Sequence, residues 1–366
     1  MDRRAGRWTF GVCVWALSCC LALPAVSEPL PAQAASGSYQ PPRTPDGRPD
    51  LQGVWSNGSL TTLTRPASVP NLTVTPEEAA RLVRENPWVQ LAASEEGASD
   101  LSDGLLADGN SDRGYNTFWI DPGASLASVK GELRTSWIVE PATGAMPMSD
   151  EGRMLARQAL QRRMARLFAG PEALPIAERC LIGFTGAGGP VMLNTIYNNN
   201  YQIVQTPDAV MILVEMVHDA RIIRMNSAHR PAAIQPWLGD SIGWWENDTL
   251  VVETINVHPG QGEAGPVYLS DKGKVIERFT RVSDDQIFYE FRVDDPIYYT
   301  QTWRGEMSLN ARSEAVYEYA CHEGNYAMAG ILGGARLQEA RGERPSLGPG
   351  IFPRSSPASG SARSGG

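Results

Sequence analysis

The chain has 366 residues, 42% hydrophobic and 20% charged, with 32 Lys and Arg against 41 Asp and Glu and a formal net charge of −9. A surface of that sign repels phosphate backbones, which argues against nucleic-acid binding. The 36 glycines and 27 prolines imply frequent turns, which suit β structure better than a helical bundle.

The first seven residues are a short basic stretch, residues 8–23 carry no charge, and small residues collect around Ala32-Gln33-Ala34. Basic, then apolar, then small is the order of a secretory signal, so residues 1–34 are expected to be a signal peptide cut before Ala35. A membrane span needs about twenty apolar residues, whereas this run is closed by Pro24. A lipoprotein anchor at Cys19 or Cys20 is disfavoured because the apolar core continues through Leu21-Ala22-Leu23. Removing 1–34 takes away three arginines, one Asp and one Glu, leaving 29 basic and 39 acidic residues and a net charge of −10. No later segment is apolar enough to span a bilayer, and the expected location is periplasmic or secreted. The sequence sets no oligomeric state.

Residues 35–50 are Pro, Gly and Ser rich and read as an extended lead-in to a single β-rich domain over 51–341. A strand is expected at 51–55. Thr75-Pro76-Glu77-Glu78 opens a helix with a capping residue, Pro at the first helical position and Glu three after the cap, and Asn86-Pro87 ends it. Residues 92–130 show no clear period and are read as a long loop or flap. A strand at 133–139 leads through Pro141-Ala142-Thr143-Gly144 to a helix over 149–169, stopped by Gly170-Pro171. Its five arginines, Arg153, Arg157, Arg162, Arg163 and Arg166, form a solvated face opposite Leu155, Ala159, Leu160 and Leu167.

From Tyr197 onward the pattern is β almost without interruption. Strands are expected at 201–205, 210–217, 221–225, 241–245, 249–257, 275–282, 286–293, 299–309 and 315–320. Short polar turns such as Thr206-Pro207-Asp208 and Ser283-Asp284-Asp285 join them, and tight turns join antiparallel neighbours. The fold class is therefore mainly β: an antiparallel meander of nine or ten strands, enough to close a barrel, with two or three peripheral helices. A glycine-broken helix over 324–340 follows, and 342–366 is expected to be a disordered tail. Cys180 and Cys321 remain after processing, and in an oxidising compartment they either pair or stay free.

Several long motifs carry a resemblance. They are PRTPDGRPDLQGVW at 42–55, YNNNYQIVQ at 197–205, HDARII at 218–223, GDSIGWWENDTLVVET at 239–254 and ACHEGNY at 320–326. The chain resembles a widespread family of exported, uncharacterised bacterial proteins over most of residues 42–336. It departs from that pattern at Asn247, where the family usually has Gly, and at His258, which matches no characteristic histidine. The Gly53-x-Trp55 signature is also similar to that of lipocalin-like barrels, which implies a cup for a small, largely apolar ligand.

No zinc spacing, phosphate-loop lysine, dinucleotide fingerprint or G-x-S-x-G elbow occurs, so no cofactor or metal is expected. The glycine-rich stretch 183–189 reads as a plain loop. What remains are polar residues beside strand ends. His218 is expected as general acid or base, oriented by Asp219 or Glu323, with Arg221 or Tyr201 holding a developing oxyanion. His322 beside Cys321 is a second candidate. The competing reading is that these groups only tie strand ends together. The leading expectation is thus a cofactor-independent isomerase, lyase or hydrolase acting by acid–base catalysis on a small, partly apolar molecule in a barrel cavity. The alternatives are a noncatalytic periplasmic carrier of a hydrophobic ligand and an adhesion or scaffold module.

Overall fold

Ile287, Tyr289, Phe291 and Val293 are completely buried and alternate with more exposed Phe288, Glu290 and Arg292, the period-2 signature of a strand with one inward face. That strand belongs to a closed barrel. The computed structural model describes residues 39–96, 121–263 and 265–346; the expected signal segment 1–34, residues 97–120 of the expected flap and the tail from 347 lie outside the described residues. In chain order the strands are β1 (Gly53–Ser56), β2 (Thr73–Val74), β3 (Ser128–Val129), β4 (Glu132–Arg134), β5 (Ile138–Glu140), β6 (Asn200–Gln205) and β7 (Ala209–Val214). They continue with β8 (Ala220–Met225), β9 (Asp240–Glu246), β10 (Thr249–Ile255), β11 (Lys274–Arg281), β12 (Gln286–Asp294) and β13 (Trp303–Arg312). The helices are α1 (Pro76–Glu85), α2 (Pro87–Glu96), α3 (Asp150–Arg166) and α4 (Tyr326–Ala340).

The ring runs β1-β6-β7-β8-β9-β10-β11-β12-β13 and closes by antiparallel pairing of β13 back onto β1, through Val54↔Arg312, Trp55↔Ala311 and Ser56↔Asn310. Among the described residues the fold is thus mainly β, a closed nine-stranded barrel with four helices. One contact breaks the expected antiparallel meander: β8 and β9 run parallel. Parallel neighbours cannot be joined by a tight turn, and residues 226–239 make the crossover.

Other expectations shift for physical reasons. The strand expected at 133–139 divides: β4 joins β2 and β3 in a small separate sheet, while β5 adds to the first half of β13. Residues 315–320 form no strand, because both edges of β13 are already taken by β12 on one side and by β5 and β1 on the other. The stretch expected at 210–217 stops as a strand at Val214, and the one expected at 299–309 begins at Trp303. Asn86-Pro87 ends α1 but also starts α2, since the Asn86 side chain accepts from the Trp88 N–H (2.9 Å) and Pro87 takes the first helical position. Thr75 and Ser149 cap α1 and α3 as expected.

The barrel interior is filled by side chains: Trp55, Tyr201, Ile203, Ile212, Phe279, Tyr289, Phe291 and Trp303 are each at most 2% exposed. One end is closed by residues 187–193, whose Met192 N–H donates to Tyr289 Oη (3.1 Å) and whose Ala187 carbonyl accepts from Tyr201 Oη (3.1 Å). Cys180 and Cys321 form a disulfide, which ties the segment leading into α4 to the chain ahead of this plug. Among the described residues no helix is long and apolar enough to cross a membrane.

Candidate functional site

The parallel seam is short. β8 and β9 pair only at Ile223↔Ser241, Arg224↔Ile242 and Met225↔Gly243. The first residues of β8 precede the start of β9, and a cleft of about 400 Å³ opens beside them. Asp219 and Arg221 lie on one side, Leu181, Ile182, Trp237 and Leu238 supply apolar walls, and Arg224, Arg230 and Asp240 line the rest. The size falls within the range of small-molecule sites, about 300–1,000 Å³.

The turn between β7 and β8 delivers Asp219 to this cleft. Val217 and His218 adopt consecutive positive φ values of 60° and 42°, an uncommon conformation for a β-branched residue and its neighbour. Buried Glu215 holds the turn by accepting from Asn198 Nδ2 (2.7 Å) and Asn200 Nδ2 (2.6 Å). The dense Asn cluster of the sequence is therefore spent on fixing this reversal. The outcome is a divergence of neighbours. Asp219 faces the seam cleft, whereas exposed His218 lines a separate outer groove of about 460 Å³ with Tyr317 and Glu318.

Burial pushes the Asp219 carboxyl up to about 6, although the Gly183 N–H (3.0 Å to Oδ2) and the charge of His218 work the other way. A carboxyl in that range exchanges protons near neutrality. The glycine-rich stretch closes over it. A Cβ at Gly188 would stand 3.3 Å from Asp219 Oδ2, and one at Gly189 (φ +75°) only 2.7 Å from Arg221 Nη1, so both positions need the smallest side chain.

Arg221 reaches from the cleft into the barrel. Its Nη1 and Nη2 donate to Glu277 Oε1 (3.0 Å) and Oε2 (2.5 Å), with side-chain exposures of 1% for Arg221 and 0% for Glu277. Burial opposes the guanidinium charge, but the Glu277 carboxylate and its hydrogen bonds outweigh it and hold the arginine protonated. Tyr289 Oη donates to Glu277 Oε1 (2.7 Å), and burial raises that phenol far above its usual range. Thr254 and Ser241 complete the buried set, with their hydroxyls 2.8 Å apart.

A second network fixes the crossover wall. Asp240 accepts from Arg224 (2.8 Å), from the Arg230 backbone N–H (2.8 Å) and lies 2.9 Å from His229 Nδ1. His229 Nε2 lies 3.1 Å from Glu253. Burial pushes Asp240 up, but these donors win and its carboxyl lies below the ordinary range. The Trp237 ring packs against His258 at a tilt of 36°, ring centroids 3.9 Å apart. Among the described residues no group of three or more His, Cys, Asp and Glu side chains is gathered to hold a metal ion.

Of the six residues expected at the site, the structure brings Asp219 and Arg221 into one cleft and leaves four elsewhere. His218 faces the outer groove. Tyr201 is buried in the barrel, where its hydroxyl accepts from Asn57 Nδ2 (3.1 Å) and donates to Ala187, and burial pushes its pKa well up. That hydroxyl is engaged in closing the plug. His322 and Glu323 are exposed beside the disulfide and line neither cleft. The residues missed are Glu277, Tyr289 and Asp240. One of them, Glu277, carried a readable signal. In β11 the inward positions run Val275, Glu277, Phe279, and in β8 Arg221, Ile223, Met225, so each strand sets one charge on its apolar face. Opposite charges on inward faces pair or are not tolerated. The sequence matches no family model and no curated protein.

Proposed function

We propose that the chain is an acid–base enzyme working outside the cytoplasm on a small, partly apolar molecule bound in the seam cleft, without a cofactor. The observation that carries this reading is the Asp219 carboxyl, raised to about 6 by burial in a cleft it shares with Arg221. In its ionised form Asp219 takes a proton from a carbon next to a substrate carbonyl. The electron pair moves onto the carbonyl oxygen, for which the Arg221 guanidinium is the nearby donor. The carbonyl then re-forms as the protonated Asp219 returns the proton to the far carbon of a conjugated C=C, giving an isomer, or to a group leaving the β carbon, giving elimination. The apolar walls limit water around the carboxyl and keep its pKa high. The disulfide supports the exported location, since such bonds persist in oxidising compartments.

The test is solvent deuterium incorporation, followed by NMR, into a panel of small ketones and carboxylic-acid derivatives. The wild-type chain should catalyse exchange with at least one, and Asp219→Asn should slow it about 100-fold or more. Equal exchange by a well-folded Asp219→Asn variant removes the residue as the proton carrier. A carrier of a hydrophobic molecule is the second reading, favoured by the Trp237–Leu238 wall; it predicts binding with no exchange.

A further inference from the structure

We infer that His229 is a proton-operated latch: with both ring nitrogens protonated it ties the crossover 226–239 to β10, and without the second proton that tie is lost. The crossover wall of the seam cleft is thereby held in acid and loosened in base. The latch needs no reaction in the cleft and is independent of the acid–base reading.

The crossover is held by polar contacts and not by a core. No residue from 226 to 239 is buried. A segment with so little buried apolar surface opens locally at small cost, yet it supplies Arg230, Pro236, Trp237 and Leu238 to the cleft. Its first half is fixed by neighbouring side chains. Arg224 donates to the Ala228 carbonyl (3.0 Å), Asn256 donates to that of Arg230 (3.2 Å), and Asp240 accepts from the Arg230 N–H (2.8 Å). The donors in these three bonds keep their protons near neutrality. The fourth contact, through His229, does not share that constancy.

The His229 ring lies between two carboxylates on different strands. Its Nδ1 is 2.9 Å from Asp240 Oδ2 on β9, and its Nε2 is 3.1 Å from Glu253 Oε1 on β10. A neutral imidazole has one N–H, and an ionised carboxylate only accepts. Burial opposes the charge on Asp240, but its donors win, so that carboxylate is ionised. The neutral ring spends its hydrogen on Asp240, the nearer partner, and turns a lone pair toward Glu253. Only the imidazolium makes both bonds, each charge-assisted.

The surrounding charges act in both directions. Asp240 and Glu253 touch the ring and favour the second proton. Arg224 from β8, Arg230 from the crossover and Lys274 from β11 oppose it, and each of them is paired with one of those carboxylates. The closed wall offers the proton two acceptors that the open wall does not. It therefore binds the proton more tightly, and raising the pH favours opening.

The experiment combines hydrogen exchange, corrected for the intrinsic rate at each pH, with heteronuclear NMR of the His229 ring. In the wild type both ring nitrogens should carry hydrogen at about pH 5. Protection of 228–239 should fall about 5-fold or more as pH rises through the ring's own titration midpoint, with 275–293 unchanged. His229→Gln has one donor and one acceptor at every pH and should remove the dependence. Glu253→Gln supplies an amide that donates to the neutral ring, and should keep the wall protected above the midpoint. Asp219→Asn should leave the fall in place, which separates the latch from the carboxyl in the cleft. Equal protection on both sides of the midpoint overturns the latch. So does a fall that survives in His229→Gln or Glu253→Gln, or one that vanishes in Asp219→Asn. Glu253 is 26% exposed, and its variant with the wild-type titration decides the matter if His229→Gln does not fold. No substrate is added, so the latch and the acid–base reading fail separately.

Discussion

Gly183 and Asp219 are joined by a 3.0 Å hydrogen bond from backbone N–H to carboxylate, made three residues after the disulfide-bonded Cys180. The intervening Leu181 and Ile182 line the cleft. The cross-link therefore anchors the wall that faces the proposed proton carrier.

Reduction of the disulfide, or Cys321→Ser, should cost about 3–5 kcal/mol, because the bond closes a loop with a sequence separation of 141 residues. Urea denaturation with and without reductant gives the value. Hydrogen exchange should rise first at 181–183. Unchanged protection there would show that the wall holds without the cross-link.

Asp219 makes stability depend on pH with a definite sign. Its folded carboxyl holds a proton up to about 6 against an ordinary value of 3.8. The stabilisation is complete below the ordinary value and is lost as pH rises toward the folded one. The groups around it are His218, Arg221, Arg224, Arg230 and Asp240, together with the Gly183 N–H. Asp219→Asn mimics the protonated form, so it should match the wild type near pH 4 and exceed it by about 1–2 kcal/mol at pH 8. Urea midpoints at the two pH values decide it. A less stable variant at pH 8 would contradict the raised carboxyl.

The Arg221–Glu277 pair should behave asymmetrically. Glu277→Gln alone leaves a buried guanidinium uncompensated and should cost roughly 3–5 kcal/mol. Replacing both by methionine should recover most of the loss, since apolar groups of similar volume pack in the same space. A double-mutant cycle in urea measures the coupling. A coupling near zero would mean that the pair is solvated.

Asp240→Ala should free the crossover 226–239 without opening the barrel. It removes the acceptor of Arg224 and of the Arg230 N–H. The expected cost is about 2–4 kcal/mol, with faster hydrogen exchange confined to 228–239. A change spread evenly over β10 to β12 would assign Asp240 to the core instead.

The sequence made the barrel legible for a plain reason. Period-2 alternation as clean as that of 287–293 leaves one face to bury, and a ring of such strands buries every one. Caps at Thr75 and Ser149 were equally readable, being local chemistry. The seam was not, because a parallel neighbour reached by crossover leaves no turn signature. Nor was the parting of His218 from Asp219. It depends on two positive φ values at residues whose types give no hint of them, enforced by Glu215 from outside the turn. Site reasoning therefore chose the histidine, whose chemistry is evident in isolation, over the aspartate, whose reactivity comes from its surroundings.

Closure of the ring by Val54 and Arg312 bears on how the molecule is made. A ribosome delivers β1 early and its last neighbour some 250 residues later, so the first strand waits through nearly all of synthesis with an edge uncovered. The nascent chain has reason to depend on a holdase for that interval. A chain terminated ahead of β13 would keep two raw edges, on β1 and β12, and would be expected to associate through them.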